Sequence, residues 1–88
     1  MTLERRSLLE RAEAAKLSKN FLEAEILYRQ LAAHLGYSLG PNHFEVAIVL
    51  HQLATLLEEM GRAEDAGPFR KQASTILQKL NRGGGEQP

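Results

Sequence analysis

The sequence has no cysteine, no excess of either charge and no long apolar run, and each absence removes a class of function. Without cysteine there is no disulfide framework and no thiolate metal site, and the redox compartment stays open. Eleven basic residues balance eleven acidic ones, so no net field attracts nucleic acid, an anionic membrane or an acidic substrate. Charges recur every two or three positions in the first twenty residues, which predicts neither a signal peptide nor a membrane span there. We therefore expect a cytoplasmic protein with no nucleic-acid or membrane partner.

The pattern that is present is helical. Apolar residues recur at three- and four-residue steps, glycine and proline occur in clusters, and no alternating strand pattern persists. The 88 residues suffice for one domain. We predict an all-α protein of four helices, which run from about Thr2 to Lys19-Asn20, from Phe21 to about Ser38, from His43 to about Met60, and from Ala63 to about Leu80.

Capping signals support these helix ends. Asn20 tolerates the left-handed backbone conformation that often follows a helix. Gly40-Pro41 and Gly61 each predict a helix end just before them. Asn42, with Glu45 three residues later, predicts an N-cap and a capping box for the third helix.

The sequence also repeats itself after 42 residues. A shift of that length places Phe21–Leu35 on Ala63–Leu77, and the matched positions are mostly small or apolar, as stacked helical hairpins require. We place a single domain at residues 1–81, with repeat 1 at about 2–39 and repeat 2 at about 42–81. The glycine-rich residues 82–88 have nothing to bury, so we expect a disordered tail there.

Small residues recur where the helices of each hairpin must approach closely. A larger side chain at these positions would push the helices apart, which typically costs about 1–3 kcal/mol. The positions are Ala12, Ala24, Ala54 and Ala66. We expect all four to be buried.

These segments resemble the tetratricopeptide repeat, in the 42-residue form found in kinesin light chains and in many bacterial scaffold and regulatory proteins. The resemblance covers about residues 5 to 80. It implies two antiparallel helix-turn-helix hairpins, stacked as a short right-handed α-solenoid. The residues that carry it are Leu39-Gly40-Pro41-Asn42-His43, Val46-Ala47, Leu53-Ala54, Gly61-Arg62, and Ala24-Glu25-Ile26-Leu27-Tyr28-Arg29 echoed by Ala66-Gly67-Pro68-Phe69-Arg70-Lys71.

The sequence departs from the family pattern at three places. Asn42 stands where the family usually has aspartate, Phe44 where it has proline, and His51-Gln52 where it has an asparagine pair. The missing asparagine at position 51 argues against a peptide-backbone clamp of the kinesin type.

In repeats of this family the first helix of each hairpin lines a concave groove that holds an extended peptide or a helix. The resemblance therefore implies a scaffold or adaptor module that binds a segment of a protein partner. The groove is mixed in charge, which argues against a carboxylate clamp and predicts a partner of mixed charge or one held by apolar contact. By helical spacing, the groove residues are Arg6, Leu9, Glu13, Lys16, Asn20, Ile48, His51, Thr55, Glu58 and Arg62.

The alternative is a homodimer. About three repeats are normally needed to cover a continuous core, so a chain of two repeats must be well capped, part of a longer array or covered by another copy. A spare apolar strip of Leu3, Leu9 and Leu17 beside Ile48 would suit a twin subunit as well as a foreign peptide.

We predict no catalytic, metal or cofactor site. His43 lies at a helix start, where a structural role in the turn is expected, and His34 and His51 lie on different helices. The serines have no glycine-flanked elbow and no paired base. Glu58 and Glu59 are adjacent on a helix and diverge by about 100°. The glycines at 83–85 precede no Lys-Ser/Thr motif for phosphate.

Overall fold

The fold consists of four helices packed in chain order. The computed structural model describes the backbone of residues 3–85 and the side chains of residues 5–82. Within that range, α1 packs on α2, α2 on α3 and α3 on α4. The neighbour-on-neighbour order confirms the predicted all-α fold of two stacked hairpins. The helices are α1 (Leu3–Leu17), α2 (Phe21–Leu39), α3 (Phe44–Glu59) and α4 (Ala63–Gly85).

The core is built around the four small residues that the repeat pattern singled out. Ala12, Ala24, Ala54 and Ala66 are all fully buried, which confirms the prediction. Their small side chains let neighbouring helices approach closely, and the larger buried residues fill the space beside them. The largest of these are Tyr28, Leu31, Leu53, Leu56, Leu57 and Ile76.

Both hairpins turn in the same way. In the first, the N–H of Asn20 donates to the carbonyl of Ala15 at 2.8 Å, and that of Lys19 to the carbonyl of Lys16 at 3.0 Å. This is a Schellman motif, whose left-handed residue is Lys19 with φ of 65°. We predicted that Asn20 would take this conformation, and that was wrong by one position. The second hairpin places Gly61 there, with φ of 79°, as predicted.

The start of α3 also differs from the prediction by one residue. The N-cap is His43, not Asn42, and its Nδ1 accepts a hydrogen bond from the N–H of Glu45 at 3.0 Å. An imidazole nitrogen can replace the usual oxygen because the cap requires only an acceptor within reach of the first-turn N–H groups. The structural role predicted for His43 is confirmed. Because Glu45 instead pairs with Arg5, no reciprocal capping box is formed.

The C-terminus of α2 lies close to its predicted position, whereas that of α4 lies beyond it. Gly40 caps α2, and its N–H donates to the carbonyl of Gly36 at 3.1 Å. By contrast, α4 continues to Gly85, past the predicted end at Leu80. Glycine is a poor helix former but does not remove a backbone donor, so the ladder can propagate through it. The last three residues of the predicted tail lie outside the described part of the chain.

The central helices are less completely buried than their composition suggests. Helices α2 and α3 are apolar on most sides, yet Leu22 and Ile26 are 66% and 56% exposed. On α3, Phe44 and Ile48 are 54% and 41% exposed. Two hairpins cover only one face of each central helix, so the other face meets solvent. No helix in residues 3–85 is long and apolar enough to cross a membrane.

Candidate functional site

An apolar cleft of about 280 Å³ lies between α1 and α3, with α2 forming its floor. Helix α1 supplies Leu9, and α3 supplies Phe44 and Ile48 at the opening. The remaining lining residues are Arg5, Glu13, Leu31, Leu35, Glu45, Val49 and Gln52. Helices from both repeats therefore form the cleft, which exists only when the two hairpins are stacked.

An ion pair between two lining residues closes one end of the cleft. The guanidinium of Arg5 on α1 forms an ion pair with the carboxylate of Glu45 on α3. His43 holds the first turn of α3 through its hydrogen bond to the Glu45 N–H, so the carboxylate stands on a fixed turn. Both charged side chains are about one-third exposed, and such a pair contributes only about 0–1 kcal/mol of stability. Its main effect is to define where the apolar part of the cleft begins.

A buried acceptor lies among the apolar residues of the cleft. Gln52 lines the cleft, and its Oε1 is buried with no hydrogen-bond partner among the described residues. A buried acceptor without a donor costs about 1–3 kcal/mol. Because this oxygen is closed to solvent, an N–H group of another molecule would reach it only after the Gln52 side chain turned toward the cleft.

The structure brings together some of the predicted groove residues and separates others. Leu9, Glu13 and Ile48 line the cleft together. Arg6 is exposed and Lys16 half-buried on α1, and neither lines the cleft. Asn20 lies at the turn, where its Nδ2 donates to Glu23 Oε1 at 2.8 Å.

Several lining residues are not among the predicted groove residues. Leu31 and Leu35 come from the second helix of the first hairpin, whereas the predicted groove is lined by first helices. Phe44 was noted as a departure from the family pattern, and that departure was a usable signal: a large apolar residue replaces proline at the first position of α3. No feature of the local sequence indicates that Gln52 lines the cleft or that Arg5 pairs with Glu45.

Comparison with known families agrees with this architecture. The model of the tetratricopeptide repeat matches residues 4–79. The chain belongs to the tetratricopeptide repeat family. Members of this family generally mediate protein–protein interaction and are typically not catalytic. No curated protein and no solved structure matches the chain.

A second group of predicted residues gathers around an arginine of the last tetratricopeptide helix. The Arg70 guanidinium reaches His51 Nδ1 at 3.1 Å, Thr55 Oγ1 at 3.5 Å and Glu58 Oε1 at 2.8 Å. Because a guanidinium only donates, the His51 nitrogen accepts. These three α3 residues thus face α4 and are held by it, away from the cleft.

The last predicted residue, Arg62, joins the two tetratricopeptide hairpins. Its Nη1 lies 2.6 Å from Glu25 Oε1 on α2, and its Nε lies 2.8 Å from Asp65 Oδ2. Arg29 also pairs with Glu25, at 3.0 Å, and stacks over the Phe69 ring at 4.9 Å from its centre. The hydrogen bond from Arg62 is the main cause that lowers the pKa of Glu25, and the same bond raises the pKa of Arg62. This network is a structural link between the hairpins.

Proposed function

We propose that the cleft between α1 and α3 binds an apolar segment of a protein partner, and that the chain acts as an adaptor through this contact. The observation that supports it best is the exposure of two large side chains, Phe44 and Ile48, beside a concave apolar surface. Exposed apolar side chains around a concavity commonly mark interaction sites. An apolar side chain of a partner bound in the cleft would bury its own surface together with the exposed surface of Phe44 and Ile48.

The charges around the cleft describe the partner further. Arg5 and Glu45 neutralise each other at one end, so the cleft does not select a strongly charged segment. Glu13 is the remaining charge on the lining and favours a basic residue beside the apolar one. With its side chain turned toward the cleft, Gln52 would present Oε1 to an N–H donor, either a backbone amide or an indole. The partner segment we propose therefore carries a large apolar residue with a basic neighbour.

Selection from a random peptide display library tests this proposal. Wild-type protein should enrich peptides with a large apolar residue, and Ile48→Glu should lose them, with affinity reduced about tenfold or more. Leu77→Glu is the matched control because Leu77 is also 41% exposed but lies on α4, outside the cleft. It should bind the peptides as wild type does. Equal loss in the two variants, or no loss in either, would refute cleft binding.

Replacement of Gln52 separates binding from folding. Gln52→Met keeps an unbranched side chain but removes the buried acceptor, so the free energy of unfolding should rise by about 1 kcal/mol or more. Affinity for the selected peptides should fall, since the donor in the peptide then lacks its acceptor. Titration calorimetry and urea unfolding measure the two effects. Binding that is unchanged or tighter would show that Gln52 does not meet the partner.

A further inference from the structure

Helix α2 carries an outward stripe of apolar residues that belongs neither to the core nor to the cleft. It consists of Leu22, Ile26, Ala33 and Tyr37, which we call the α2 stripe. Leu22, Ile26 and Tyr37 are 66%, 56% and 93% exposed, and Ala33 is also exposed. Steps of four, seven and four residues keep them on one helical face, over a length of about 22 Å. Arg29 lies on the same face between Ile26 and Ala33, and its guanidinium pairs with Glu25 and stacks over the Phe69 ring.

The repeat architecture does not require this stripe. The positions 42 residues later, on the outward face of α4, are Glu64, Pro68, Thr75 and Lys79. None of these is a large apolar residue, although the two hairpins share the same fold. The outward face of α4 is thus an ordinary solvated surface, and the apolar character of α2 needs another explanation.

The C-terminal end of the solenoid is less suited to a further copy, although α4 exposes Leu77 and Leu80 at 41% and 42%. Leu9 and Glu13 face the second hairpin across the cleft, and their counterparts at the end of that hairpin are His51 and Thr55. These are tied to Arg70, which also binds Glu58. Stacking another hairpin there would break charged hydrogen bonds, so end-to-end association is disfavoured.

We propose that the α2 stripe is the interface of a homodimer, in which two α2 helices pack antiparallel about a two-fold axis between Arg29 and Gln30. This register places Leu22 opposite Tyr37 of the second copy, and Ile26 opposite its Ala33. Each large side chain then meets a complementary neighbour, and the pairing satisfies two-fold symmetry because both copies use the same patch.

The size and charge of the surface suit such a dimer. Covering the stripe on two copies removes about 1,000 Å² of surface, the lower limit for a specific interface. The chain has no net charge, so two copies do not repel each other at long range. The dimer should therefore be weak, with a dissociation constant in the micromolar range.

Sedimentation equilibrium with two charge variants tests the interface. Ala33→Glu introduces a carboxylate into the α2 stripe, and Thr75→Glu introduces the same group at the equivalent exposed position of α4. Wild type and Thr75→Glu should dimerise with the same constant, while Ala33→Glu should weaken dimerisation at least tenfold. A wild-type protein that stays monomeric at several hundred micromolar, or two variants that behave alike, would overturn the proposal.

Cross-linking tests the register, because the chain has no cysteine of its own. Gln30→Cys puts a thiol next to the proposed axis, and Gln72→Cys puts one at the equivalent position of α4. A short bismaleimide should join two Gln30→Cys chains and leave Gln72→Cys monomeric. Equal cross-linking of both variants would exclude this register. Ile48→Glu, the cleft variant, should still cross-link when it is combined with Gln30→Cys, so failure of the cleft proposal and failure of the dimer are distinguishable.

Discussion

Lys19 and Gly61 occupy equivalent positions in the two hairpin turns and adopt the same left-handed conformation. The energetic cost of that conformation differs between the two residues. Both have positive φ, at 65° and 79°, and both close a Schellman motif. The left-handed region costs an L-residue about 1–2 kcal/mol, whereas glycine adopts it freely. The first turn is therefore strained where the second is not.

We expect Lys19→Gly to raise the free energy of unfolding by about 0.5–1 kcal/mol, since relief of strain exceeds the added entropy of the unfolded chain. Urea unfolding followed by circular dichroism measures this. Lys19→Ala keeps the Cβ and removes the rest of the side chain with its charge, so it should give no such gain. A comparable gain from alanine would mean that the side chain beyond Cβ, not backbone strain, sets the cost.

The ionisation of Glu25 makes the stability of the fold depend on pH in the acidic range. Its side chain is 11% exposed and accepts hydrogen bonds from Arg29 and Arg62. The bond from Arg62, opposed by desolvation and aided by the bond from Arg29, holds the pKa of Glu25 below the ordinary value of 4.5. A depressed carboxylate pKa stabilises the folded state above pH 4.5, and this contribution is lost as pH falls through the folded pKa.

Glu25→Gln should therefore lower the free energy of unfolding by about 1.5–3 kcal/mol at pH 7. The difference from wild type should shrink steadily below pH 4.5, because the wild-type carboxylate is then protonated too. Urea unfolding at a series of pH values tests the trend. Glu23→Gln, an exposed carboxylate two residues away, is the control. A difference for Glu25→Gln that does not change with pH would contradict the role of the charge.

At the scale of the element, α4 is the helix with the most unfavourable composition. It contains Gly67 and Pro68 in its second turn. Glycine costs about 1 kcal/mol in a helix interior, and proline removes a backbone donor. Outside its two chain neighbours and its own helix backbone, the Cβ of an alanine at Gly67 would meet no atom within 4 Å, and the same holds at Gly61. The two glycines differ in backbone conformation and also in the residue that follows, because the Cδ of Pro68 crowds a Cβ at the preceding helical position.

The same substitution should have different effects at these two sites. Gly67→Ala should change the free energy of unfolding by less than about 0.5 kcal/mol, because the gain in helix propensity is offset by crowding of the new Cβ against Pro68. Gly61→Ala should destabilise the protein by about 1 kcal/mol, because alanine disfavours positive φ. The midpoint of thermal unfolding measures both effects. If Gly67→Ala lowers the midpoint as much as Gly61→Ala does, backbone conformation does not distinguish the two sites.

At the scale of the whole molecule, the two hairpins share one core and are joined by the Glu25 network. Both tyrosines, Tyr28 and Tyr37, lie on α2, so tyrosine fluorescence reports on repeat 1 alone. Circular dichroism reports on all four helices. Since α3 packs against α2, we expect the repeats to unfold together rather than one after the other.

Ile76→Val tests this coupling, because Ile76 is buried in α4 of repeat 2. Loss of one methylene should cost about 0.5–1.5 kcal/mol. The tyrosine signal of repeat 1 should shift by the same amount as the circular dichroism signal. A tyrosine transition that stays in place would show that the repeats unfold independently.

The sequence alone determined the number of helices, the hairpin order and the four buried alanines. These features depend on periodicity, glycine and capping residues, which act within a few positions of the chain. Apart from the end of α4, which lies five residues past the predicted Leu80, the errors at this level, Asn20 for Lys19 and Asn42 for His43, are single-residue shifts. They arose because neighbouring residues compete for one cap and only the hydrogen bonds decide between them.

Only the tertiary structure decided which surfaces are open. Leu31 and Leu35 line the cleft because α3 packs on α2. The predicted groove residues His51, Thr55 and Glu58 lie outside the cleft, because they form hydrogen bonds with Arg70 on a different helix. The exposure of Leu22 and Ile26 likewise depends on which face of α2 the other helices cover. Contacts between distant segments are set by how helices cross and stack, and a helical period shows that a face exists without showing what will cover it.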